Sequence, residues 1–195
     1  MKEFKFQRWM HFKEMQDIAT SLKVLDGYNK TRFNRKFNKG EDTLLESAKY
    51  AHNNDMVYFV TVLENDIPIS HLEVNKAFFR VYFLDELNRN YMSYDFIGND
   101  LSGWRVEIPK DKLFLSKITV WTYENDGDKK INISDYIFRP NGQVTIIERN
   151  LLTNERIEKQ AKDKIDISAN WEDYPKFGEY DNLIQKERGV KLFTV

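Results

Sequence analysis

The first candidates for chemistry are the imidazole of His71 and the carboxylate of Glu73. They are two residues apart in a stretch typical of a β-strand, so both side chains are expected on one face. A carboxylate beside an imidazole can support general-base catalysis or bind a metal. No HExxH motif or third ligand accompanies them, and His11 and His52 have no suggestive neighbours. We therefore favour an ordinary strand pair over a catalytic one.

Neighbouring carboxylates are the second candidate, because two carboxylates together can carry out hydrolysis. Most of them fall at predicted turns, where Asp and Asn favour local backbone hydrogen bonds, so we favour a structural role. The chain has no cysteine, no glycine-rich phosphate loop and no GxSxG motif. We predict no catalytic residue, no metal and no cofactor. The pairs are Glu64/Asp66, Asp85/Glu86, Asp126/Asp128 and Glu172/Asp173.

A basic segment at residues 28–40, YNKTRFNRKFNKG, interleaves cations with aromatic rings. Such a segment could contact phosphates and stack on bases. The alternative that we favour is a solvated loop whose Phe33 and Phe37 pack against the core. The acidic remainder of the chain would repel nucleic acid, so no direct nucleic-acid partner is predicted.

The fourth candidate is the acidic and aromatic stretch between Asp163 and Glu187, which contains seven carboxylates and four aromatic residues. Trp and Tyr are frequent at the energetic centre of protein interfaces, and carboxylates attract a basic partner. The alternative is that the aromatic residues anchor the tail to the sheet while the acids face water. The predicted partner-binding residues are Trp171, Glu172, Asp173, Glu179, Tyr180 and Asp181.

Composition limits the class of protein. The chain has 195 residues, 41% of them hydrophobic and 14% aromatic, which is enough for a folded core. The net charge is −1, but residues 1–40 hold ten basic and four acidic side chains, so +6 there leaves −7 for the rest. The charged start lacks a secretory signal, and no apolar run of 18 residues exists. We predict a single domain over 1–195, located in the cytoplasm, with no membrane partner.

Helices are predicted in the first 54 residues. Apolar residues recur at helical spacing over 8–25, and Asp26-Gly27 is a plausible end. A second helix is predicted over 42–53. A further short helix is expected to begin near Tyr180, after an aromatic loop.

From residue 55 onward the pattern is that of β-structure. Residues 56–63 are apolar on both faces, and Glu64-Asn65-Asp66 is a predicted turn. Later turns are expected at 125–128, at Asn141-Gly142 and at Thr153-Asn154. The predicted strands are 56–63, 69–74, 77–87, 90–97, 113–123, 131–139 and 143–151, and the segment 155–164 suits either a strand or a helix.

These elements together predict an α+β fold. Successive short turns imply a meander, that is, a curved antiparallel sheet of about six to eight strands. Helices from the mainly helical residues 1–54 and the short C-terminal helix would flank it, and a half-barrel wrapped on a helix is the expected closure.

The C-terminal third carries a family resemblance. The hairpin at 136–144, YIFRPNGQV, and the segment 170–181, NWEDYPKFGEYD, resemble the ends of bacterial immunity proteins against polymorphic or contact-dependent growth-inhibition toxins. The resemblance implies a cytoplasmic protein without catalysis that binds a cognate toxin domain, for example a nuclease, and blocks it. One alternative is a β-fold that binds a small molecule or lipid through Phe78, Phe79, Tyr82 and Phe83. Another is a hydrolase that uses His71.

Overall fold

Ten β-strands form one antiparallel sheet in the region of the chain that the structure, a computed structural model, describes: residues 2–7, 44–98 and 108–188. Nine strands follow chain order from β1 to β9, so the sheet is an open meander with β1 and β9 at its edges. The bounds are β1 Lys2–Gln7, α1 Leu44–Asn53, β2 Tyr58–Glu64, β3 Ile67–Asn75, β4 Phe78–Leu84, β5 Asn90–Ile97, β6 Lys112–Tyr123, β7 Lys130–Phe138, β8 Val144–Asn150, β9 Glu155–Gln160 and β10 Trp171–Asp173.

The turns between strands use residues that accept a left-handed backbone. Asn65 and Asp66 have φ of 51° and 63° and form the two-residue turn between β2 and β3. Positive φ at both central residues matches the right-handed twist of a hairpin, which explains why Asn and Asp lie there. Asn125 and Asn154 have φ of 51° and 59° in the turns before β7 and β9.

One face of the sheet, here called the core face, is almost wholly apolar. Val60 of β2 pairs with Leu72 of β3, which pairs with Val81 of β4 and then Tyr94 of β5, and all four are at most 2% exposed. The period-2 alternation of the strands directs this set of side chains inward. Helix α1 covers an area of this face with Ala48 and Ala51, which are 3% and 0% exposed.

The opposite face is polar but also largely buried. Asp95 of β5 is 5% exposed and accepts hydrogen bonds from the Arg80 guanidinium at 2.6 Å and 3.0 Å. Lys117 lies 3.1 Å from the same carboxylate. Asp135 of β7 pairs with Arg149 of β8 in the same manner. Pairing is required because an isolated buried carboxylate is strongly unfavourable.

The seven predicted strands from 56–63 to 143–151 are confirmed, and the segment 155–164 contains a strand, β9. The helix predicted over 42–53 corresponds to α1. Within the described residues the fold is nevertheless mostly antiparallel β with very little helix, so the expected set of N-terminal helices is not supported. Residues 8–25 lie outside the described residues, and Lys2–Gln7 is a strand that pairs with β2 across the expected boundary at residue 54.

The tail differs from the sequence prediction at two places. The C-terminal helix from Tyr180 is wrong, because residues 181–184 form only a turn, with the N–H groups of Leu183 and Ile184 donating to the Tyr180 carbonyl. The predicted aromatic loop includes β10, whose Trp171 pairs with Phe114 of β6. With β1 and β10 included, the sheet has ten strands, which is more than the expected six to eight.

Gly142 provides a test of the hairpin before β8. Its φ is +84°, and an added Cβ would lie 2.8 Å from the backbone oxygen of Ile165. Gly142→Ala should therefore lower the free energy of unfolding in urea by about 2–3 kcal/mol. Gly178→Ala is the matched control, since it has the same φ but nothing within 4 Å, and should lose only about 1 kcal/mol. Equal losses for the two variants would contradict the close approach to Ile165.

Candidate functional site

The C-terminal tail, residues 171–188, is the candidate site, and it packs across the core face. It begins as β10, which pairs with the first residues of β6, while β7 pairs with the later residues of the same strand. After β10 the Tyr174 N–H donates to the Asp111 carbonyl at 2.8 Å. The tail is therefore joined to the sheet by backbone hydrogen bonds before its side chains reach the core.

Aromatic side chains anchor the middle of the tail. Tyr180 is completely buried, and its hydroxyl lies 2.7 Å from that of Tyr58. Phe4 packs edge-on against Tyr180 with ring centroids 5.6 Å apart, and Phe177 stacks on Phe6 at 4.7 Å. These contacts join the two ends of the described chain.

A buried guanidinium fixes the end of the tail. Arg188, which is 8% exposed, pairs with Glu172 and donates to the carbonyl oxygen of Asn182. Its guanidinium also lies 4.9 Å from the ring centroid of Phe96. The tail thus forms a loop closed between β10 and Arg188.

The six sequence-predicted residues divide into an inner and an outer group. Trp171 packs on Phe114 with centroids 4.8 Å apart, Tyr180 is buried, and Glu172 is used by Arg188. These three hold the tail in place, with Tyr180 fully buried and Trp171 and Glu172 half-buried. Asp173, Glu179 and Asp181 are exposed, so the structure places only half of the predicted set on the outside.

The outer carboxylates have few partners. Asp173 pairs with Lys112, and Asp181 lies 3.4 Å from Lys2, with 78% and 67% of the two carboxylate side chains exposed. Glu179 and Glu187 are also exposed, and neither has an ion-pair partner within the described residues. We call Asp173, Glu179, Asp181 and Glu187 the acidic tail surface. Glu187 was counted among the acids of this stretch but was not among the predicted partner-binding residues.

A hydrogen-bonded chain leads from α1 into the core beneath the tail. The Nδ1 atom of His52 lies 2.9 Å from the Tyr58 hydroxyl, which contacts Tyr180 in turn. Burial raises the pKa of both tyrosines, so both stay neutral hydroxyls. Burial also lowers the pKa of His52, and nearby Asp55 offsets only a fraction of that effect.

His52 also lines a cleft of about 230 Å³ between α1, the β3–β4 turn and the start of β6. Lys76, Lys110 and Lys112 line it as well, and Lys76 pairs with Asp55 at 2.8 Å. The lining is of mixed charge, because Asp55 also lines the cleft and Lys112 pairs with Asp173. Sequence reasoning missed this cleft because its residues come from separate segments and share no motif.

The residues proposed for other chemistry do not assemble into a site. His71 and Glu73 share one face of the sheet, as expected, and it is the face opposite the core face. The Nδ1 atom of His71 lies 3.0 Å from the Thr61 hydroxyl. Phe79 and Phe83 fill the core at 0% and 1% exposure. Phe78 and Tyr82 lie on the opposite face beside Arg80. The four aromatic residues therefore do not line one pocket.

The carboxylate pairs are turn residues or are directed to different partners. Asp85 accepts from the backbone N–H groups of Leu87 and Arg89 at 2.9 Å and 2.8 Å. Burial alone would raise the pKa of Asp85, but these bonds and the Arg89 guanidinium lower it overall. Glu172 and Asp173 are adjacent, yet one pairs with Arg188 and the other with Lys112. The basic segment 28–40 lies outside the described residues.

The described ranges offer neither a metal site nor a membrane span made of helix. No group of three or more His, Asp or Glu residues there is arranged to hold a metal ion. None of the helices in these ranges combines the length and the apolar character that crossing a bilayer requires.

Removal of the Tyr58 hydroxyl tests the anchor of the tail. Tyr58→Phe leaves the buried Tyr180 hydroxyl and His52 Nδ1 without their partner, and should lower the free energy of unfolding by about 1–3 kcal/mol. Tyr91→Phe is the control, because Tyr91 is half-buried with no hydroxyl partner in the described chain, and should change stability by less than about 0.5 kcal/mol. Urea unfolding measures both, and equal stabilities would contradict the hydrogen-bonded anchor.

The lowered pKa of His52 gives a pH dependence. A histidine that binds its proton less well in the folded state contributes stability above the unfolded pKa of about 6.5, and this is lost as the pH falls below that value. Nuclear magnetic resonance titration of the His52 ring should give a midpoint below about 6.5 in the folded protein. A midpoint at or above that of a histidine in an unfolded peptide would contradict the burial of the His52 ring beneath the tail.

Comparison of this chain with protein-family models, with curated proteins and with solved structures gives no match.

Proposed function

We propose that this protein is a cytoplasmic immunity protein that neutralises a cognate toxin domain by stoichiometric binding, without catalysis. The contact is assigned to the acidic tail surface, defined above by Asp173, Glu179, Asp181 and Glu187. The observation that carries the proposal is the division of the tail into an inner side that is anchored and an outer side that is acidic.

Anchoring matters because binding is weakened when a flexible segment must become ordered. The inner side of the tail is already fixed by β10, by the buried Tyr180 and by Arg188. A carboxylate held on such a segment loses little conformational freedom on binding. The tail is therefore suited to act as a preformed recognition surface.

Charge supports a basic partner. Glu179 and Glu187 have no cationic partner in the described region of the chain, so they can pair with a second protein without first breaking an internal ion pair. A nuclease toxin must bind phosphates and therefore carries a basic groove. Carboxylates opposite such a groove would accelerate association and cover the substrate site.

The proposal also includes a half-barrel curvature of the sheet. A sheet that curves around α1 and the tail would present the acidic tail surface as one rigid unit. The resemblance of 136–144 and 170–181 to immunity proteins adds support that is independent of the geometry.

The direct test is co-expression with the toxin domain encoded beside the gene. We expect a stable one-to-one complex on size-exclusion chromatography and survival of cells that express the toxin. An active neighbouring toxin that kills cells despite co-expression, and that forms no complex with this protein, would refute the proposal.

Charge reversal locates the contact. The double variant Glu179→Lys/Glu187→Lys should slow association with the toxin domain by about tenfold or more at low salt, and by less at high salt, because exposed charges act over the Debye length. Asp126→Lys, which makes half of that change in charge, is the control, since Asp126 is exposed in the β6–β7 turn, about 30 Å along β6 from β10. Surface plasmon resonance measures both rates.

The control changes the net charge by +2 and the double variant by +4, so a control whose effect on the logarithm of the rate is half that of the double variant would mean that only the total charge matters. That result would remove the acidic tail surface as the contact and leave stoichiometric inhibition to be explained by another surface.

A further inference from the structure

Strand β9 forms one edge of the sheet, and all six of its residues are exposed. It pairs with β8 on one side, and the described chain places no strand on its other side. An exposed edge strand of this length is a template for pairing with another strand. The backbone groups and side chains of β9 determine which strand fits it.

The hydrogen-bond pattern shows which backbone groups are free. The N–H of Leu151 donates to Ile131 of β7, and that of Ala161 donates to Val144 of β8. Because hydrogen-bonded pairs alternate along an antiparallel ladder, Glu155, Ile157 and Lys159 direct their backbone groups toward β8.

The intervening residues Arg156, Glu158 and Gln160 therefore direct their N–H and C=O groups away from the sheet. An incoming strand must satisfy this set of groups. In an antiparallel pair of two β9 strands, the outward-facing residues of one copy must lie opposite outward-facing residues of the other.

The side chains select one register among those that meet this condition. With Ile157 at the two-fold axis, Arg156 lies opposite Glu158 of the second copy, and Glu155 lies opposite Lys159. Each of these attractive pairs occurs twice, and Ile157, which is 42% exposed, meets its own counterpart. Opposite charges directly across antiparallel strands are stabilising.

The neighbouring registers are unfavourable. If Arg156 lies at the two-fold axis, its guanidinium is directly opposite that of Arg156 in the second copy. If Glu158 lies at the axis, the two Glu158 carboxylates are directly opposite each other. Like charges at directly opposed positions are destabilising. Edge strands commonly carry charges that prevent pairing, but the order Glu-Arg-Ile-Glu-Lys in β9 is complementary to itself.

The ends of the paired strands add apolar surface. Leu151 and Leu152 in the β8–β9 turn are 41% and 54% exposed. In the Ile157-centred register this turn lies beside residues 161–163 of the second copy. Both apolar side chains would lose contact with water there, which favours association.

We propose that β9 is a homodimer interface, in which two copies of this chain pair their β9 strands antiparallel about Ile157 and join two sheets into one. This pairing uses the edge of the sheet opposite to β1 and does not require the toxin complex. In the single chain, Arg156 pairs with Glu158 at 2.6 Å and Lys159 with Glu148 at 3.3 Å. In the dimer Arg156 and Lys159 take the carboxylates of the second copy.

The test is sedimentation equilibrium of the full chain over a range of concentrations. The wild type should show a reversible monomer–dimer equilibrium. Arg156→Glu places a carboxylate opposite Glu158 at two symmetric positions and should raise the dissociation constant by about tenfold or more. The double variant Arg156→Glu/Glu158→Arg restores opposite charges and should return the constant to within about threefold of wild type.

Two further variants separate edge pairing from general charge effects. Glu158→Pro removes an outward N–H while leaving the ladder with β8 intact, and should abolish the dimer. Lys49→Glu is the control for net charge, because Lys49 is exposed on α1, which contacts β1 and β2 at the other end of the sheet. It should leave the dissociation constant unchanged. Circular dichroism verifies that each variant is folded.

A wild type that stays monomeric up to about 1 mM would overturn the proposal. A dimer that folded Arg156→Glu and Glu158→Pro variants retain at wild-type strength would overturn it as well. Failure of the double swap to restore association would show that the Ile157-centred register is wrong.

Discussion

The contact between the hydroxyl groups of Tyr58 and Tyr180 is the constraint on which the rest of the structure depends. It joins residues 122 positions apart inside the core, at a distance of 2.7 Å. With the tail in place both hydroxyls are buried, so the loss of this bond would leave the Tyr180 hydroxyl short of a partner in the core, and the bond therefore helps to hold the tail across the core face. In this position the tail covers aromatic residues of β4 to β6 that would otherwise face solvent. The same tail carries Arg188 to Glu172, and this ion pair fixes the direction in which that carboxylate of β10 points.

This constraint accounts for the anchoring of the tail and for the exposed surface to which recognition is assigned in the proposal. Along the tail, side chains that anchor it and side chains that are exposed are separated by as little as a single residue step. Glu172 and Asp173 show the division most clearly, since the first is held by Arg188 and the second is exposed beside Lys112. A surface arranged in this way is rigid before any partner arrives. Stoichiometric inhibition of a basic toxin domain, the function proposed above, would make use of such a surface. The β9 edge lies elsewhere on the sheet, so self-association and toxin binding can be varied separately.

Much of the sheet was predictable because its local signals agree with its tertiary structure. The alternation in β2 to β8, together with Asn or Gly residues at turns such as Asn65 and Gly142, indicates strands close to those observed. The strands β1 and β10 were missed because they are short or highly charged and exist only through pairing with β2 and β6. Tyr180, Leu183 and Ile184 are all buried and have the i, i+3, i+4 spacing of a helical face, which is why a helix was expected there, but the chain makes only a single turn at 181–184. Which acids of the tail remain free depends on Arg188 and Lys112, and sequence spacing alone does not reveal those partners.

The proposed function requires that the tail be ordered within the core of the free protein. Amide hydrogen exchange, followed by nuclear magnetic resonance, tests this most directly through the N–H groups of Tyr174 and Leu183, which donate to Asp111 and Tyr180. Both should exchange as slowly as the amides of β5, because the tail opens only when the sheet unfolds. Exchange of the two tail amides that is orders of magnitude faster, while β5 stays protected, would show that the tail detaches locally. That result would contradict a preformed acidic tail surface.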